Sequence, residues 1–187
     1  MSPDDEIIPP PPDDSTPAEP RGADAADPGE STCAGMSETE MRANAIRLAF
    51  GGDEQRLEEF CAVLREWLPP GAAAVLRGSS VTGFRWEDGA PFDAAGPGTS
   101  DLDLTFVGEP VLAWFLPHGF YIPDLHTMPL GDDHHDISPA LLPLRRRLVD
   151  MVGRPVNIQG TRSWIMFVRE YVMRQPYLTL VGKLESS

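Results

Sequence analysis

Cysteine is scarce in this 187-residue chain, where Cys33 and Cys61 are the only two. That number excludes a disulfide framework and a cysteine-based metal cluster. Lysine is scarcer still: Lys183 stands alone among 15 basic residues, a usage expected of a GC-rich bacterial genome. Long apolar runs are also missing, and no stretch approaches the roughly 20 residues of a membrane span. The N-terminus is acidic and proline-rich, without the apolar core of a secretory signal. These absences lead to the expectation of a cytoplasmic protein with no membrane partner.

What the chain has in excess is acid, and it is unevenly placed. Residues 1 to 40 hold 11 acids and one base, so they carry −10 of the net charge of −14. The remaining 18 acids and 14 bases leave only −4 for the rest. Met1 to Met36 also contains eight prolines within its first 28 residues and little apolar besides Ile7 and Ile8. Such a segment buries too little surface to offset the entropy of ordering it, so residues 1–36 read as a disordered acidic tail and residues 37–187 as one folded domain. The overall apolar content of 41% is enough for a core.

Past the tail, Ser37 and Glu40 have the spacing of a capping box, opening a helix that Gly51-Gly52 stops. Asp53 starts a second helix with Leu57, Phe60, Cys61, Leu64 and Leu68 on one face, ended by Pro69-Pro70. Ala73 to Arg77 is a short continuous apolar run, as in a strand buried on both faces. Leu102 to Val107 reads as a second strand and Val156 to Gln159 as a third. Ala140 to Val152 and Arg162 to Arg174 have helical spacing, while Pro117 to Pro139 reads as a turn-rich connection holding all four histidines. Strands separated by helical stretches predict an α/β domain, a small mixed sheet covered by helices.

The chemistry concentrates between Val75 and Val107. Asp101 and Asp103 alternate with Leu102 and Leu104, so on a strand both carboxylates project to one face. Two adjacent carboxylates repel, and a hard divalent cation with oxygen ligands is the usual remedy. Upstream, the strand ends in Gly78-Ser79-Ser80, where a turn can leave backbone N–H groups and a hydroxyl for phosphate oxygens. The alternative for Ser79 is simple capping of the next helix.

Gly78-Ser79 after one strand and Asp101-Leu102-Asp103 on the next resemble the signature of the DNA polymerase β-like nucleotidyltransferase superfamily, over about residues 53–175. The resemblance implies the minimal fold of that superfamily and a small nucleotidyltransferase that moves a nucleoside monophosphate from an NTP to an acceptor hydroxyl of a protein, an RNA or a small molecule, with release of pyrophosphate. It implies Asp101 and Asp103 as catalytic residues and ligands of Mg²⁺ or Mn²⁺, and Gly78, Ser79 and Ser80 as the nucleotide-binding residues. Two departures accompany it. The segment 84–98 looks like an insertion, and the strand where a third carboxylate commonly sits offers Asn157. The alternative is therefore a non-catalytic, regulatory or partner-binding member of the same fold.

Other residues carry open readings. Phe84 to Asp93 is either a lid or acceptor-selecting loop or a segment packed over the sheet edge. The seven arginines between Arg145 and Arg174 are either a grip for a triphosphate or nucleic-acid backbone or solvated helix faces. No motif for reading a DNA sequence is visible. Asp132-Asp133-His134-His135-Asp136, with His118 and His126 upstream, reads as either a polar loop or a second metal site; from the loop an acid or histidine is a candidate to lean into the site in place of a third carboxylate.

Overall fold

The computed structural model describes residues 35–163 and 175–184. Of the expected tail, nearly all lies outside the described residues, as does most of the expected helix 162–174. Helix α1, Glu38–Ala49, begins in the anticipated capping box, with the Ser37 hydroxyl accepting from Glu40 N and the Glu40 carboxylate accepting from Ser37 N. Helix α2, Glu54–Trp67, is capped by the Asp53 carboxylate, which accepts from Gln55 N at 2.9 Å. Its apolar stripe is buried as its periodicity predicts, and Cys61 lies within it at 1% exposure. Burial pushes the Cys61 thiol up to about 11, which makes it a packing residue and not a nucleophile.

Strands β1, Ala73–Arg77, and β2, Leu102–Val107, match the expected ranges. Between them, Ser79–Thr82 forms a single helical turn, α3. The connection Pro117 to Pro139 is less irregular than its composition implies. It contains the short strands β3, Phe120–Ile122, and β4, His126–Thr127. Helix α4, Leu142–Val152, then leads to β5, Val156–Thr161, which runs two residues beyond the expected Gln159. A last strand, β6, Leu178–Val181, adds to the sheet.

The six strands form one mixed sheet in the order β3-β4-β5-β2-β1-β6. β1 lies antiparallel to both β2 and β6, whereas β2 and β5 are parallel. Alternation sorts the residues between two faces. One face presents Ala74, Leu76, Leu102, Leu104, Phe106, Val156, Ile158 and Leu178, buried against α1, α2 and α4 through residues such as Ala45, Phe60, Leu64, Leu144 and Leu148. Each fully buried large side chain there contributes about 1.5–3 kcal/mol, so this face holds most of the apolar stabilisation.

Among the described residues, the opposite face has only a small apolar patch, Ala73, Val75 and Val107, packed with Tyr177 and Leu184. Beyond that patch it carries polar side chains at central positions of the sheet: Arg77, Asp103, Thr105, Asn157, Gln159 and Thr161. A sheet that covers one face with helices and sets charge and amides along the other has its chemistry placed on the second. No helix among the described residues is long and apolar enough to cross a membrane.

Candidate active site

Strand register assembles the site. Arg77 on β1 pairs with Asp103 on β2, and Asp103 pairs with Asn157 on β5, so three polar residues stand side by side across three strands. Asp101 enters from just before β2. The Asn157 amide Nδ2 donates to an oxygen of each carboxylate, to Asp103 Oδ1 at 3.2 Å and to Asp101 Oδ2. It therefore spans the pair that the sequence places on one face.

Asp103 is held in tension between neighbours. Burial, then the charge of Asp101, raises its carboxyl above the ordinary range, while Arg77 and the Asn157 hydrogen bond pull the other way. Arg77 is half-buried; burial lowers its pKa and the Asp103 charge opposes that. Its guanidinium is fixed one row along the sheet, donating from Nε to Thr105 Oγ1 at 2.9 Å and from a terminal nitrogen to Gln159 Oε1 at 2.6 Å. Held by these acceptors, the planar cation keeps a positive charge beside the acids.

Gly78 lets the turn approach. With φ +75° it adopts a backbone that side chains avoid, and a Cβ there would lie 2.9 Å from Asp103 Oδ2. Ser79 follows it and lines the same cleft as Asp101 and Asp103. Ser80 does not: it is fully buried, and its hydroxyl turns back to donate to the Arg77 carbonyl at 3.2 Å. The structure thus brings together Gly78, Ser79, Asp101, Asp103 and Asn157, and sets Ser80 behind them as a support for the turn.

The cleft has a volume of about 540 Å³ and is also lined by Arg85, Trp86, Glu87, Ala94, Ala95 and Thr99. All of these but Thr99 belong to the segment 84–98, which is built onto the fold and not hung above it. Asp93 carries that attachment from a left-handed backbone, φ +58°. Its carboxylate accepts from the N–H groups of Gly98 and Ser100 at 3.0 and 2.9 Å and from both terminal nitrogens of Arg154 at 3.0 and 3.2 Å. Burial pushes the Asp93 carboxyl up, but the Arg154 and backbone hydrogen bonds outweigh it and bring the group down to about 2.

No family model, curated protein or solved structure matches this chain. What the site can do therefore rests on its own atoms. Among the described residues, no group of three or more His, Cys, Asp or Glu side chains is placed to hold a metal ion. The donor set is two carboxylates and an amide, and it suits one hard divalent cation. Turning the Asn157 amide end for end would exchange its donor for an oxygen at the point where both carboxylates converge. Gly131 leaves room for that amide, since a Cβ there would sit 2.6 Å from Asn157 Oδ1.

The polar loop does not supply a third carboxylate. None of Asp132 to Asp136 lines the cleft; Asp132 pairs with Arg145 at 2.7 Å and Asp136 with His118 at 3.3 Å. Arg145, Arg147 and Arg154 of the arginine-rich stretch are likewise engaged with acids, Asp132, Glu66 and Asp93, and Arg162 stands 3.9 Å from Glu109, while Arg146 is exposed. Arg169 and Arg174 lie outside the described residues.

His126 reads from sequence as one residue of a polar, turn-rich segment, whereas the structure buries it near the edge of the sheet. It is 2% exposed, beside Tyr121 with ring centroids 6.3 Å apart, and paired in register with Thr161. Burial, then the Arg77 charge, lowers its pKa from 6.5 to about 4 against a hydrogen bond with the Gly160 backbone. Its folded pKa lies below the unfolded one, so the unfolded chain takes up the proton first as pH falls. Stability is expected to decline from about pH 6.5 down to 4, and His126→Gln to flatten that decline in urea titrations. An unchanged slope in the variant would disprove the assignment.

Proposed function

We propose that the protein is a metal-dependent nucleotidyltransferase with the minimal fold of the DNA polymerase β-like superfamily. The observation that carries this reading is the pair Asp101 and Asp103, spanned by the Asn157 amide at a cleft whose rim is the Gly78-Ser79 turn. Two carboxylates held together in this way make a place for Mg²⁺ or Mn²⁺, and the turn offers close backbone approach and the Ser79 hydroxyl to phosphate oxygens. The chemistry such a cation supplies is neutralisation of triphosphate charge and orientation of the α-phosphorus.

Asp101, Asp103 and Asn157 would hold the metal, Gly78 and Ser79 would seat the phosphates, and Arg77 balances the acids from β1. The acceptor oxygen forms a bond to the α-phosphorus, the bond to the pyrophosphate oxygen breaks, and the hydroxyl proton leaves to a site carboxylate or to solvent. The engagement of Arg145, Arg147 and Arg154 with acids disfavours a polynucleotide backbone as the acceptor. A protein or small-molecule hydroxyl fits better.

The test is label transfer from α-labelled nucleoside triphosphates to cell lysate, with Mg²⁺ or Mn²⁺, beside an Asp101→Asn, Asp103→Asn variant. Label on an acceptor with the wild type alone supports the proposal and identifies the acceptor class. Asn157 in place of a carboxylate favours a second reading, nucleotide binding without turnover; binding with no transfer under any condition would establish it.

A further inference from the structure

The proposed chemistry engages the phosphate end of a nucleotide and leaves the wall of the cleft built by the segment 84–98 without a role. Trp86 lines that part, 41% exposed, in company with Arg85 and Glu87. An exposed tryptophan on a mobile loop carries little information. This one sits on an ordered one.

The Arg85 N–H donates to the Ala90 carbonyl at 2.7 Å, Gly89 N to the Arg85 carbonyl at 3.0 Å, and Phe92 N to the Gly83 carbonyl at 2.8 Å. A bridge joins Phe84 to Pro91. The Arg85 guanidinium is held by both oxygens of Asp88, at 3.2 and 2.7 Å. Behind them, Phe92 packs under the Arg154 guanidinium, 4.5 Å from ring centroid to Cζ, and Asp93 closes the bidentate pair with Arg154. The loop is thus tied to the body beneath its base and cross-linked within its turn. Its indole is presented to the cleft without being spent on the apolar core.

From this placement we infer that Trp86 is the stacking platform for the base of the nucleotide whose phosphates occupy the Gly78-Ser79 and Asp101-Asp103 end. The inference rests on the nucleotidyltransferase reading and extends it to base recognition. An indole on a preorganised loop stacks a planar ring at small entropic cost, because the loop backbone that carries it is already ordered. Stacking also accepts any base, since every base has a π-face, so the platform selects nucleotides over bare polyphosphate more than one base over another. A mononucleotide is the ligand and not a strand, because the cleft walls carry Glu87, Asp101 and Asp103, and Arg85 and Arg154 are paired with Asp88 and Asp93.

Binding of each common ribonucleoside triphosphate, and of inorganic tripolyphosphate, to the full chain with Mg²⁺ is measured by calorimetry for wild type, Trp86→Ala and Trp86→Phe. The alanine variant is expected to lose about 5- to 150-fold in nucleotide affinity, the range set by about 1–3 kcal/mol per stacked base. Phenylalanine should restore most of it, and tripolyphosphate should bind all three proteins alike. Equal nucleotide affinity in wild type and Trp86→Ala would overturn the platform and leave the nucleotidyltransferase reading standing. Failure of the wild type to bind any nucleotide, or tighter Trp86-dependent binding of a single-stranded oligonucleotide than of its mononucleotide, would also overturn the platform; the first would remove both readings. A melting temperature unchanged in Trp86→Ala separates lost stacking from lost fold.

Discussion

Asp103→Asn is expected to make the metal-free protein more stable while sharply lowering the proposed nucleotidyl transfer. The carboxyl of Asp103 is raised by burial and by the charge of Asp101, so its ionised form is disfavoured in the folded chain relative to the unfolded one. Between the ordinary value of 3.8 and the raised one, the folded chain binds more protons. Stability therefore falls as pH rises through that window, and the full penalty is present above it. An asparagine removes the charge and still accepts from the Asn157 amide through its side-chain carbonyl. Arg77 keeps Thr105 and Gln159 as acceptors. The gain should be about 0.5–2 kcal/mol, typical of relieving strain at a functional site. For a chain of this size that is a few degrees in melting temperature, at about 2–4 °C per kcal/mol.

The same change removes one of the two carboxylates that would hold the cation, and nucleotidyl transfer should fall by about 10²–10³, the scale of one lost electrostatic contact to a transition state. Scanning calorimetry with and without Mg²⁺ reads both halves. Mg²⁺ should raise the melting temperature of the wild type and leave that of the variant in place. A variant less stable than wild type in metal-free buffer, together with no Mg²⁺ response in either, would show that the pair is an ordinary polar pair on a sheet.

The central strands were readable in the sequence because each combined a short apolar run with firm boundaries. Ala73–Arg77 lies between Pro70-Gly71 and Gly78, and Leu102–Val107 between Ser100-Asp101 and Gly108. The acid pair was readable for the related reason that aspartate is unusual in a strand, so two at alternate positions ask for an explanation. Strands β3 and β4 escaped because two or three residues are too few for a period, and their neighbours Pro117, Pro123 and Gly131 are turn formers. Arg77 was visible only as a strand end, since the Thr105 and Gln159 that fix it are 28 and 82 residues away. Asn157 stood out as a departure from a carboxylate, whereas its amide reaching both Asp101 and Asp103 depends on parallel pairing of β2 and β5 that no local pattern encodes.

Arg154→Met is expected to be the most damaging single change outside the acid pair. From its place just before β5, the Arg154 side chain is 8% exposed and reaches Asp93, the Ser100 carbonyl and the Leu48 carbonyl. Removing one partner of a buried ion pair leaves the other charge uncompensated and costs about 3–5 kcal/mol. Here the Gly98 and Ser100 N–H groups still serve Asp93, which places the expected loss near the lower end. Because Asp93 is the post that ties the 84–98 segment to the body, the loss should also appear as weaker nucleotide binding through Trp86, beyond what reduced stability explains. Asp93→Asn combined with Arg154→Met removes both charges and should recover part of the stability, as paired replacement of buried ions often does. Urea unfolding of the two variants and of wild type at neutral pH decides it. A single variant within about 1 kcal/mol of wild type, the scale of a surface ion pair, would mean that the loop is held by its backbone hydrogen bonds alone and that Arg154 only fills space over Phe92.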